Sequence, residues 1–314
     1  MRVLLLGGDG QVGSELRTTL LPLGAVVAVG APATMTVTTR ASLDLGDLDA
    51  LRSTIRAARP ELVVCAAAWT DVDGAEADPD GAMRINRDAV AALGDESRRG
   101  RFAVLHFSTD FVFDGASGRA YVEDDPPNPL SVYGRSKLAG EQALLETDAP
   151  AIVLRTAWVW SLRRKSFVTS ILRLARERPS LRVVDDQIGN PTWARDLAVA
   201  SAAVVARARA DAGGDVHAGF TAARGVYHAA GAGAVSRFDF ARAILDADPG
   251  KAEHVVTELL PVSSAAFPLP ARRPTHAPLD PTRLRERFSV SLPPWRDALE
   301  RAFRAPDAPT TRFG

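Results

Sequence analysis

The stretch "RVLLLGGDGQVGSEL", residues 2–16, decides how the rest of the chain is organised. Val3 to Leu6 form a short apolar run of the kind found in a strand buried on both faces. Gly7, Gly10 and Gly13 follow as G-x-x-G-x-x-G, and a helical pattern begins at once. A strand, a glycine turn and a helix in that order bring backbone N–H groups to a helix N-terminus. With no Cβ atoms in the way, those groups can approach a pyrophosphate. A purely structural turn leaves the third glycine without a purpose. The loop is therefore expected to bind a dinucleotide.

Outward from this loop, apolar runs alternate with amphipathic stretches. "AVVAVG" (25–30), "ELVVCAAA" (61–68), "FAVLHFSTD" (102–110) and "AIVLRTAWVW" (151–160) have the composition of buried strands. Between them "LDALRSTIRAARP" (48–60), "DAVAALGDESRRG" (88–100) and "GRSKLAGEQALLETD" (134–148) carry a helical period. Such alternation implies an α/β fold, a Rossmann-type doubly wound parallel sheet covered by helices. The pattern loosens after about residue 158. "SFVTSILRLARERP" (166–179), "ARDLAVASAAVVARAR" (194–209), "SRFDFARAILDA" (236–247) and "LPPWRDALERAF" (292–303) suggest helices. "DAGGDVHAGFTAARG" (211–225) suggests a loop, and "PVSSAAFPLPARRPTHAPLDP" (261–281) an irregular tail. The expected division is 1–157, a nucleotide-binding domain, and 158–314, mainly a smaller α/β substrate-binding lobe. Residues of about 180–210 are expected to return to the main sheet.

Composition narrows the functional classes. The 314 residues carry 38 basic and 38 acidic side chains, and the arginines are scattered, so nucleic acid is not an expected partner. The one cysteine, Cys65, sits in an apolar run and excludes an internal disulfide framework. The first apolar run is too short for a signal peptide, and no stretch is long enough to span a bilayer. A cytoplasmic protein without a membrane partner is the expectation.

"SVYGRSKLAGE" (131–141) places Tyr133 and Lys137 one helical turn apart on one face. A phenol is a poor proton carrier near neutral pH unless a neighbouring cation stabilises its phenolate, and Lys137 can supply that cation. Beyond "AVVAVG" the chain has Gly30 and Ala31 where an NAD-selective site carries an acid for the ribose hydroxyl. NADPH is therefore the expected cofactor, with NADH still possible. Arg40 stands further on as a candidate near the 2′-phosphate, although its surroundings suit an exposed loop residue.

With these residues in hand, the chain resembles the dTDP-4-dehydrorhamnose reductase family of extended short-chain dehydrogenases. The resemblance is carried in order by "GGDGQVGSEL", "AAAWTDVDGAE", "STDFVFDG", "EDDPPNPLSVYGRSKLAGE", "LRTAWVW", "DQIGNPTWARDLA", "PARRPTHAPLD" and "LPPWRDAL". It implies reduction of the C4 ketone of a dTDP-linked 4-keto-6-deoxyhexose, either dTDP-4-dehydrorhamnose or a related deoxysugar. Thr109 would contact the substrate carbonyl, Tyr133 would deliver the proton, and Lys137 would also hold the nicotinamide ribose. Gln11 and Val12 would join the glycines, Asp44 and Leu45 would lie near the adenine, and Ala66, Ala67 and Ala68 would line the cofactor path. Val72, Asp110 and Trp158 resemble sugar-facing positions, and Arg272 and Arg273 would reach the diphosphate. Trp69, Gly74, Asn190 and Ala277 depart from the family pattern near the inferred sugar pocket, which leaves the particular hexose open. A non-catalytic cofactor-binding subunit and a sugar-nucleotide epimerase are the competing readings. Intact Thr109, Tyr133 and Lys137 oppose the first. Some members dimerise through magnesium held by glutamates. Here Glu15 fits one ligand position but Arg195 falls on another, so no metal and a monomer are expected.

Overall fold

The computed structural model describes residues 1–21, 23, 35–39 and 41–305. A parallel sheet of six described strands has the order β2-β1-β3-β4-β5-β10. These strands are β1 (Val3–Leu6), β2 (Met35–Thr38), β3 (Leu62–Cys65), β4 (Ala103–Thr109), β5 (Ala151–Thr156) and β10 (Gly225–His228). The order reverses between β1 and β3. At such a switch point the loops beyond the carboxyl ends of adjacent strands part and leave a crevice for a ligand.

Each face of the sheet is covered by helices. One apolar cluster joins Leu5, Leu105 and Leu154 to Leu16 on α1 (Gln11–Thr19) and to Leu197, Val204 and Val205 on a long helix, Ala194–Asp211. The other joins Leu4, Val63, Val104 and Val153 to Leu51, Ile55, Leu93 and Leu144 on the helices Leu48–Ala58, Ala89–Gly100 and Val132–Glu146. Alternate residues of β1, β3, β4 and β5 enter opposite clusters, as the two-residue repeat of a strand requires.

A smaller lobe has its own core, with Trp160, Trp193, Phe240 and Trp295 packed together. It contains β7 (Ser180–Val184), which pairs in parallel with β12 (Glu258–Val262), and helices Phe167–Glu177, Arg237–Ala247 and Trp295–Arg304. Ser166 and Ser236 cap the first two of these through their hydroxyls.

Three expectations require correction, and a fourth falls on residues outside those described. The strand beside β1 is Met35–Thr38, with Val3 opposite Met35; "AVVAVG", with Gly30 and Ala31, lies outside the described residues. The residue following β2 is therefore Thr39, and Arg40 too lies outside the described residues. Within 180–210 the helix packs on the main sheet, but β7 pairs with β12 instead, and the returning strand is β10. The glycine-rich 211–225 stretch holds a helix, Val216–Ala222, capped by Asp215. A Cβ on its Gly219 would sit 2.0 Å from the Ala208 carbonyl, so glycine serves close packing there. Finally, "AIVLRTAWVW" is not one strand: Trp158 takes a left-handed φ of 44° and breaks it.

Candidate active site

The glycine loop follows β1 at the switch point. Gly7 has φ of +82°, and its N–H donates to the Thr38 carbonyl at 3.1 Å. A Cβ on Gly13 would lie 1.9 Å from the Gly7 carbonyl oxygen, so only glycine lets α1 start this close to the turn. Gly10 caps α1 with no side-chain hydrogen bond, and Gln11 Oε1 is buried without a partner among the described residues. A helix N-terminus with no side-chain cap leaves backbone N–H groups to donate to the phosphates of a dinucleotide. Val12 packs on the sheet beneath. Across the crevice, Ala66, Ala67 and Ala68 follow β3 half-buried, and Ala67 is the residue that a Gly7 side chain would strike. Leu45 is buried in the core rather than lining a surface, while Asp44 beside it is exposed and accepts from the Gly46 N–H.

Thr109 ends β4, and a one-turn 3₁₀ segment, Asp110–Val112, follows. Ser131 caps the Val132–Glu146 helix by accepting from the Gly134 N–H at 3.1 Å. A Cβ on Gly134 would meet the Phe111 carbonyl at 2.3 Å, so this helix begins directly against the 3₁₀ turn. Tyr133 thereby comes beside Thr109, its ring edge-on to Phe111 at 5.5 Å. Burial holds the Tyr133 hydroxyl up at about 12, with the Thr109 side chain pulling the other way. Thr109 Oγ1 donates to Asp110 Oδ1 at 3.0 Å. Burial also raises the Asp110 carboxyl, to about 6, against the pull of that bond and of Arg237.

Lys137 is buried, with Nζ 2.7 Å from the Phe107 carbonyl and 3.3 Å from His106 Nε2. Burial lowers its ammonium to about 8. Here the sequence expectation needs amendment. Lys137 is turned toward β4, and the groups acting on the Tyr133 hydroxyl are Thr109 and Asp110.

The inferred substrate residues divide. Val72 is half-buried at the start of the Val72–Ala77 helix, and Trp158 packs on Gly189. Arg237, which the sequence reading missed, lays its guanidinium 3.6 Å from the Trp158 ring centroid, and burial lowers it to about 10. Arg272 is exposed, whereas Arg273 is committed to Asp73 at 2.7 and 3.2 Å. That ion pair ties the tail to the nucleotide-binding part of the chain. Asn190 is a scaffold residue, a correction to its place beside the sugar: its amide donates to the Gly231 and Gly233 carbonyls and accepts from the Leu279 N–H. Ala277 is core as well. Also missed was Asn86, buried in a π-helical turn, which exchanges hydrogen bonds with the Trp69 backbone and donates to Ser136. Its only sequence signal is a polar residue inside a helical pattern.

A glycine-cradled helix start after β1, with a threonine, tyrosine and lysine gathered at the carboxyl end of β4, two strands away on the same edge of the sheet, can bind a nicotinamide dinucleotide and pass a proton to a carbonyl. Comparison with known proteins agrees. A family model described as the RmlD substrate binding domain matches residues 1–307. The dTDP-4-dehydrorhamnose reductase of Burkholderia thailandensis is 42% identical, covering 95% of this chain and 97% of that protein. The reductase of Escherichia coli K12 is 36% identical, covering 96% of each. The crystal structure of dTDP-4-dehydrorhamnose reductase from Bacillus anthracis in complex with NADP superposes with a TM-score of 0.82 at 30% identity, covering 96% of this chain and 98% of that one. By sequence and by fold, the chain belongs to the dTDP-4-dehydrorhamnose reductase family.

Proposed function

We propose that this chain uses NADPH to reduce the C4 ketone of a dTDP-linked 4-keto-6-deoxyhexose. The observation that carries this reading is the gathering of Thr109, Tyr133 and Lys137 at the carboxyl end of β4, on the same edge of the parallel sheet as the glycine loop. The reduced nicotinamide, when bound, supplies the hydride. Tyr133, protonated throughout the physiological range, gives its hydroxyl proton to the oxygen that becomes negative. Thr109 turns its hydroxyl from Asp110 toward that same oxygen. Lys137 holds the nicotinamide ribose and keeps a positive charge under the site. Gly7, Gly10, Gln11, Val12 and Gly13 take the pyrophosphate, while Ala66 to Ala68 line its path. Thr39 to Leu43, the residues after β2, include no carboxylate to repel a 2′-phosphate, and Arg40 among them favours NADPH. Trp158 and Asp110 face the sugar.

The test is NADPH oxidation against a panel of dTDP-4-keto sugars across pH. With the preferred sugar, kcat/KM is expected to rise through about pH 6 as Asp110 ionises and accepts from a sugar hydroxyl. It is expected to fall above about pH 8 as Lys137 loses its proton. No oxidation with any 4-keto sugar would sink the function. A flat profile from pH 5 to pH 9 (about a unit outside each of those values) would sink the assignment of the two limbs.

A monomer, rather than a metal-bridged dimer, belongs to the same reading. The Glu15 carboxylate is occupied by Arg195, Nε to Oε2 3.0 Å, with Arg163 at 3.9 Å; Asp196, the alternative ligand, is bonded by Arg301 at 2.7 Å. Guanidinium groups compete with a cation for those oxygens. Sedimentation is expected to show the same species with and without EDTA. A dimer that dissociates on chelation would refute this.

A further inference from the structure

Lys137 has three N–H donors and no acceptor. The Phe107 carbonyl takes one and His106 Nε2 takes another, which leaves a single N–H uncommitted. His106 can accept at Nε2 only as the neutral tautomer that carries its proton on Nδ1. That Nδ1 is buried without a hydrogen-bond partner among the described residues. Buried N–H groups without partners are rare in native proteins, and each needs a cause.

We propose that His106 is a positioning residue, whose Nε2, with the Phe107 carbonyl, fixes the Lys137 ammonium so that its third N–H faces the nicotinamide ribose. The inference rests on the reading of Lys137 as the ribose ligand given above.

Strand alternation puts His106 where it can do this. Val104 belongs to the apolar cluster shared with Leu144 of the Val132–Glu146 helix, and Leu105 belongs to the cluster on the opposite face. His106, two residues after Val104, therefore faces the helix that bears Lys137. The other titratable groups around the ammonium do not compete for it. Glu141, one turn along the helix, is committed to Arg155. Cys65 on β3 is held up at about 11 by burial and stays a neutral thiol. Tyr133, one turn back, keeps its proton, and Asp110 lies on the far side beside Thr109. Burial and the neighbouring cation push His106 itself well below the usual imidazole range, so it remains an acceptor at every working pH. Among the described residues no carboxylate pairs with Lys137, and its placement is left to two neutral acceptors. Neutral partners locate the ammonium without cancelling the charge that the ligand needs. The unpartnered Nδ1–H is the structural cost of that arrangement.

The test compares His106→Gln, whose amide oxygen can still accept, with His106→Leu, which keeps the volume and removes the acceptor. NADPH affinity is read by nucleotide fluorescence, alongside kcat, both KM values and the alkaline limb. The leucine variant is expected to bind NADPH roughly 10-fold more weakly and to lower kcat by a similar factor, with the KM for the sugar nucleotide little changed. Its alkaline limb should move to lower pH, because a hydrogen bond to the charged amine has been lost. Glutamine should restore affinity and limb to within about 3-fold of wild type. If leucine does not fold, His106→Met makes the same comparison. A folded apolar variant with wild-type NADPH affinity and an unmoved limb overturns the proposal. So does a folded glutamine variant as impaired as leucine, which would mark a role in ring packing. A wild type that neither binds NADPH nor reduces the sugar would instead refute the function itself.

Discussion

Replacing Tyr133 with phenylalanine is expected to reduce turnover of the 4-keto sugar by roughly 100-fold or more, the scale of a lost general acid. NADPH affinity and melting temperature should stay near wild type. The ring stays, so its edge-on packing against Phe111 at 5.5 Å and the start of the helix survive. One hydroxyl disappears, together with its contact to Thr109. That hydroxyl is held up at about 12 by burial, so at neutral pH it is a loaded proton donor. Thr109 cannot replace it, since an aliphatic hydroxyl is a far weaker acid than a phenol. KM for the sugar nucleotide should change far less than kcat, because the contact strengthens as charge grows on the carbonyl oxygen. Turnover within a few-fold of wild type would remove Tyr133 from the mechanism.

How much of this could be read from the sequence depended on how local the signal was. The glycine loop, the buried strands at 62–65, 103–109 and 151–156, and the Tyr133–Lys137 pair all follow from spacing within one turn or one strand. The second strand does not. "MTVT" is too short a run to stand out in the sequence, and its place against β1 is set by long-range pairing. Trp158 is expected on the sugar side only by resemblance. Its left-handed backbone depends on Gly189, 31 positions later, leaving room for the indole. The failures at Arg273 and Asn190 share one cause. Each looks like a ligand residue until a distant partner, Asp73 or the Leu279 N–H, takes its polar atoms. His106 and Arg155 are the converse. They interrupt apolar runs, where a polar letter looks incidental until the helix above supplies Lys137 and Glu141.

The largest stability effect is expected at that last pair. Arg155 and Glu141 are 4% and 2% exposed, and the guanidinium holds both carboxylate oxygens at 2.7–3.2 Å. Arg155→Met retains most of the apolar stem but leaves a buried carboxylate with no cation on it. Such one-sided removal costs about 3–5 kcal/mol, out of a total that is commonly 5–15 kcal/mol. The double variant Glu141→Leu with Arg155→Met removes both charges and should regain most of the loss, since replacing a whole buried pair by apolar groups is often close to neutral. A second readout separates lost charge from lost packing. With Arg155 gone, the uncompensated Glu141 carboxylate acts on Lys137 in the next turn and favours its ammonium form. The alkaline limb of the single variant should therefore move to higher pH, and the double variant should lose that shift. Denaturant midpoints that place the double variant no higher than the single one would show that Arg155 contributes through shape, not through its charge on Glu141.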